Sequence, residues 1–175
     1  MVRHPIAIAV VTALALTLPA GDAAAQLRFA VAGGPSFPLG ALNDGYNTGW
    51  HAQASAGLSI PLLPISVRAD GAYNRFPGAT DGHFQVISGT INGIVSIPSI
   101  LITPYFIGGL GFYSTKISDA PATVDGESSD IGANVGAGVR LGLPFLSIFA
   151  EARLHNVFSE GDAVRLAPLS VGLHF

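Results

Sequence analysis

An imidazole can take the proton of a nearby hydroxyl, and His155 stands four residues before Ser159. The other histidines beyond residue 25, His51, His83 and His174, are scattered and fall into no motif with a neighbouring nucleophile. No HExxH, P-loop or nucleophile elbow occurs. Cysteine is absent, which excludes thiolate nucleophiles, thiolate metal sites and disulfides. The acids Asp119, Asp125, Glu127 and Asp130 suit a hard divalent cation in kind. Their spacing fits no EF-hand loop, and they read as a solvated acidic loop. No metal or other cofactor is expected. A net charge of −3, with no basic patch carrying interleaved aromatics, argues against a nucleic-acid partner.

The charged residues carry more information through their placement than through any motif. Apolar residues alternate with small or polar ones along most of the chain, and period-two alternation marks strands with one apolar face. Eight such segments are expected, at residues 27–35, 50–60, 65–76, 84–97, 101–115, 130–142, 145–158 and 163–175. The sixth is the most regular: Ile131, Ala133, Val135, Ala137, Val139 and Leu141 face one side, with Gly132, Asn134, Gly136, Gly138, Arg140 and Gly142 opposite. In the fifth both faces are apolar, and Tyr105 and Tyr113 are assigned inward against Phe106, Leu110 and Phe112. Arg28, Arg68, Asp70, Arg140, Glu151 and Arg153 all fall on the polar face of their strands. Were those strands in a bilayer, a charge on the lipid side would cost about 2–4 kcal/mol at mid-depth. The six are expected to form an ionic network inside a closed sheet, since a buried ion needs a partner.

Connections between the segments alternate in kind. Short, proline-containing turns stand at Pro61–Pro64, Pro98–Ser99 and Leu143–Pro144. Longer polar loops hold Asp44, Asp81, Asp119, Asp125, Glu127, Glu160 and Asp162, so one rim is expected to be anionic. Tight turns at one end and long loops at the other describe an up-and-down barrel.

Residues 1–25 read as a secretory signal peptide: Arg3 and His4, an apolar stretch from Ile6 to Leu18, then Ala23-Ala24-Ala25 before cleavage. The remaining residues, 26–175, suffice for one domain. Only 11% of the chain is charged, where a soluble domain carries about a quarter. The mean hydropathy is +0.51, yet no later run is long enough for a membrane helix. Export, low charge and alternating segments together predict an eight-stranded antiparallel transmembrane β-barrel. A closed sheet satisfies every backbone hydrogen bond in lipid without helices.

The chain resembles the small outer-membrane β-barrel families of Gram-negative-type bacteria, the broad outer membrane protein β-barrel domain group. The residues that carry the likeness are the leader to Ala25, Val31-Ala32-Gly33-Gly34-Pro35, Pro104-Tyr105-Phe106-Ile107-Gly108-Gly109-Leu110-Gly111, Phe149-Ala150-Glu151-Ala152-Arg153 and the final Phe175. The resemblance implies residence in the bacterial outer membrane among its lipids. It also implies handling by periplasmic chaperones and by the outer-membrane assembly machinery, which would read Phe175 as its signal. Some barrels similar to these, of the lipid A deacylase kind, place a serine two residues after a histidine. Here that position is Val157, so His155 departs from the pattern. The expectation is a structural or surface-interaction barrel with a plugged lumen and no enzymatic activity. A narrow channel for small solutes, a lipid-modifying enzyme and a soluble lipocalin-like barrel are the alternatives.

Overall fold

Each alternating segment becomes a strand because its two faces want different surroundings. The computed structural model describes residues 26–59, 63–79, 82–118, 126–143, 146–159 and 163–175. The signal-peptide reading falls on residues outside that set, as do Asp81, Asp119, Asp125, Glu160 and Asp162 of the loop acids.

Eight strands follow in order: β1 (Gln26–Leu39), β2 (Gly49–Ser59), β3 (Ile65–Pro77), β4 (His83–Ser96), β5 (Ile102–Ser118), β6 (Gly126–Gly142), β7 (Ser147–Val157) and β8 (Val164–His174). Each pairs antiparallel with the next, and β8 returns to β1 to close the barrel. Closure removes every open sheet edge. Following partners once around from Pro38 through Leu166, His155, Asn134, Gly109, Asn92, Arg68 and Gly57 returns to β1 at Arg28, a stagger of ten residues. The stagger tilts the strands and narrows the interior to a space that side chains can fill.

Both described ends of the chain lie at the rim where β2–β3, β4–β5 and β6–β7 connect, hereafter the turn end. Phe175 closes onto β1 there through a reciprocal backbone pair with Phe29, at 2.9 and 3.0 Å. The opposite rim is the loop end. It carries a short helix, α1 (Ala41–Gly45), that period-two reading did not anticipate. Leu42 drops from α1 into the barrel mouth and packs with Phe76, Phe84, Val86, Tyr113, Val157 and Leu166.

Strand bounds shift modestly from expectation, with one real correction. The expected fifth segment stops at residue 115 and the sixth begins at residue 130. Instead β5 and β6 continue pairing through Lys116↔Glu127 to Ile117↔Gly126. A hairpin that rises past an apolar band has water on both faces, so its strands need no alternation.

The outer face is apolar throughout the middle of the barrel. Ile87, Ile91, Val135, Val139, Leu154, Leu169 and Val171 all point outward and are exposed. Exposed aromatics gather at two heights, with Phe37, Trp50, Phe112 and Phe158 toward the loop end and Phe29, Phe106 and Phe175 toward the turn end. The fifth strand follows its expected facing, with Phe112 71% exposed and Tyr105 and Tyr113 each at 1%.

Candidate functional site

The barrel interior holds the polar chemistry of the chain. Two strands supply its centre, each with a charged pair two residues apart on the inward face. β3 presents Arg68 and Asp70, and β7 presents Glu151 and Arg153. In the closed order β3 and β7 stand four strands apart, on opposite walls. They run in the same direction, so the plus–minus order of β3 meets the minus–plus order of β7.

The four side chains interlock. Arg68 Nη2 donates to Glu151 Oε1 and Oε2 at 2.8 and 2.9 Å. Arg153 Nη2 donates to Asp70 Oδ2 and its Nε to Glu151 Oε1, both at 2.6 Å. Arg68 Nε also lies 2.9 Å from Asp70 Oδ1, out of line for a hydrogen bond. Charge-assisted bonds of this length are the strong kind. All four residues are buried, Glu151 at 1% exposure.

A shell of neutral donors completes the carboxylates. Tyr105 donates its hydroxyl to Glu151 Oε2 at 2.8 Å, and Asn92 donates to Asp70 Oδ2 at 2.8 Å. Asn134 in turn donates to Asn92 Oδ1 at 2.8 Å. Buried charge in a low-dielectric interior is tolerable only when its lone pairs and protons are engaged in this way.

Small residues make room for the large ones. A Cβ on Gly138 would collide with the ring and hydroxyl of Tyr105. A Cβ on Gly132 would lie 2.7 Å from the ring of Tyr113, and one on Gly172 would lie 2.6 Å from Phe149. Tyr105, Tyr113 and Phe149 therefore each lie over a glycine on an adjacent strand. This pairing is invisible to a single-strand pattern, which sees only abundant glycine.

Above and below the ionic centre the interior is filled differently. Toward the loop end, Tyr113 and His155 share a hydrogen bond at 2.8 Å beneath the apolar cluster that Leu42 caps. Nearby, His51 Nε2 and Ser170 Oγ share one at 2.8 Å, and Ser36 donates to Asn74 at 3.0 Å. Toward the turn end, Ile94 and Ile107 pack on Tyr105, and the ring of Phe149 stacks 4.5 Å from His174.

Of the six charges assigned inward from sequence, the structure joins Arg68, Asp70, Glu151 and Arg153. The other two sit lower. Arg140 lies over the ring of Tyr105, 5.6 Å from its centroid, and Arg28 is exposed at the turn-end mouth. Parity along a strand places a side chain inside or outside; it does not give depth, and depth separates these two from the rest.

Of the pair named for nucleophilic chemistry, His155 is placed inside, while Ser159 lies past the end of β7 and is half-buried. His155 turns into the interior toward Tyr113 and is 6% exposed. The pair His51–Ser170 has the spacing of a base and its hydroxyl, a feature the sequence hides because 119 residues separate the two. Ser170 is buried at 2% exposure. Asp130, from the acidic stretch, accepts a hydrogen bond from Ser128 at 2.7 Å.

No protein-family model and no curated relative matches this chain. Solved structures do. Neisserial surface protein A (NspA) matches with a TM-score of 0.68 at 18% identity, covering 85% of this chain and 95% of that one. Ail, the attachment invasion locus protein of Yersinia pestis, matches with a TM-score of 0.60 at 19% identity, over 86% and 99%. The outer membrane enzyme PagL matches with a TM-score of 0.51 at 11% identity, over 86% and 99%. The chain shares the eight-stranded barrel fold of small outer-membrane proteins, as the sequence resemblance implied.

Proposed function

We propose that the chain is an integral outer-membrane β-barrel of structural or surface-interaction type, with a plugged lumen and no catalytic role. The observation that carries this reading is the inversion of polarity. Arg68, Asp70, Glu151 and Arg153 are buried inside, while large aliphatic and aromatic side chains cover the outside between two aromatic levels. In water such an outer face would be a severe liability. In a bilayer it is the expected surface, and the aromatic levels match the girdles of membrane barrels.

A plugged lumen is supported by its filling. Phe76, Val86 and Val157 at the loop end, the ionic centre, and Tyr105 and Phe149 below are each essentially inaccessible. A channel needs a continuous water path, which these layers oppose. Among the similar folds, Ail is an attachment invasion locus protein and PagL is an outer membrane enzyme. The burial of Ser170, His51 and His155 favours the non-catalytic reading. Biogenesis would involve periplasmic chaperones and the assembly machinery, with Phe175 as the recognised residue.

Cell fractionation tests the location. The protein is expected in the outer-membrane fraction, resistant to carbonate extraction and beginning at Gln26. Recovery in the soluble periplasm would overturn the reading.

A further inference from the structure

Below the charge-balanced square of Arg68, Asp70, Glu151 and Arg153 stands a further half-buried cation, Arg140. Glu151 already accepts from Arg68, Arg153 and Tyr105, and Asp70 from Arg153 and Asn92. Below them a cavity of about 30 Å³ is lined by Arg28, Arg68, Arg140, His174 and small or apolar residues, with no carboxylate in its wall. It adjoins a wider mouth of about 430 Å³ that shares Arg28 and His174 and reaches Phe175 at the rim.

Three buried nitrogens in this wall lack a hydrogen-bond partner: Arg140 Nε, Arg68 Nη1 and His174 Nδ1. Arg68 is the most buried of the three, with its side chain 4% exposed. Arg28 and Arg68 repel Arg140, and the carboxylate that attracts it, Glu151, is already engaged by two guanidinium groups. Tyr105 offers Arg140 only the face of its ring. A buried guanidinium nitrogen left without an acceptor is costly, and Arg140 Nε and Arg68 Nη1 are two such atoms in one wall.

We propose that this cavity binds one small inorganic anion of halide size, held against Arg140 and Arg68 and entering through the mouth at Arg28 and His174. The size follows from the volume: about 10–15 Å³ of such space holds one water, so the inner cavity admits a monatomic anion or a single oxygen, not a folded headgroup. The guanidinium groups supply charged donors, and Ser55, Ser59 and Ser66 in the wall can turn their hydroxyl protons toward an anion. The inference rests on the cavity alone and is independent of where the barrel resides.

The test uses the wild-type protein refolded in detergent, with bromide as the probe. Crystals soaked in sodium bromide are expected to show an anomalous peak within hydrogen-bonding reach of Arg140 Nε. At equal ionic strength, the unfolding midpoint is expected to rise with bromide concentration relative to sodium gluconate, whose anion is too large for the cavity. Arg140→Gln should abolish both effects, and Arg140→Lys should retain part of the bromide dependence. The proposal is overturned if wild-type crystals show bromide elsewhere only, or if bromide and gluconate give the same midpoint. A peak without any midpoint shift would mean binding at crystal concentration only, and would also overturn it. Should Arg140→Gln fail to fold, the two wild-type measurements decide.

Discussion

Arg68 and Glu151, 83 residues apart in the chain, meet across the barrel, with Nη2 of the arginine donating to both carboxylate oxygens at 2.8 and 2.9 Å. Asp70 and Arg153 have the same separation in sequence and meet one step along the same two strands. The identical spacing is a consequence of register: two strands on opposite walls, running the same way, hold complementary charge orders at one depth. The pair is therefore one half of a square, and losing one member alone leaves the remaining charges miscompensated.

Breaking the square from one side should be costly. Glu151→Gln leaves Arg68 and Arg153 buried with one carboxylate between them, and should lower unfolding stability in detergent by about 3–5 kcal/mol. The double replacement Arg68→Met with Glu151→Leu removes both ions and should lie closer to wild type than Glu151→Gln does. Equilibrium urea unfolding measures both. Additive losses in the double variant would show that the pair is not coupled.

Facing and depth along β6 can be tested with one residue type. Ala137 is exposed on the outer face beside Phe106, while Gly142 lies at the turn-end rim. Arg at position 137 should impair folding into lipid vesicles by about 2–4 kcal/mol, and Arg at position 142 by less than about 1. Equal tolerance at both sites would contradict the assigned facing.

The glycine beneath Tyr105 should not accept a methyl group. Gly138→Ala forces Tyr105 away from Glu151, and should destabilise the barrel by about 1–3 kcal/mol. Gly71→Ala, on the outward face of β3 where a Cβ meets nothing within 4 Å, should change stability by less than about 0.5 kcal/mol. Thermal unfolding of the two variants side by side distinguishes a packed interior from a loose one.

These expectations show which features were legible before the fold was known. Strand number and facing were readable because one residue of error would send Arg68 or Glu151 to the apolar side. Even β5, apolar on both faces, followed its assignment, since Ile107 packs inside against Ile94 and Tyr105. The helix α1 was not legible, because Leu42 gains its stability from Phe76 and Leu166, which come from distant strands. The extension of β5 and β6 was missed because paired strands in water need no apolar face. Within the candidate site, parity placed the charges inside. Their partners depended on strand position around the barrel and on depth, which no single segment contains.

Conductance across a planar bilayer tests the central claim most directly. The refolded wild-type protein, inserted and held at a steady potential, should stay at the baseline of the bare membrane if, as proposed, the apolar cap, the ionic square and the Tyr105–Phe149 layer plug the lumen. Steady, ion-selective single-channel steps from the wild type would contradict the plugged barrel and make Arg68, Asp70, Glu151 and Arg153 the filter of a channel.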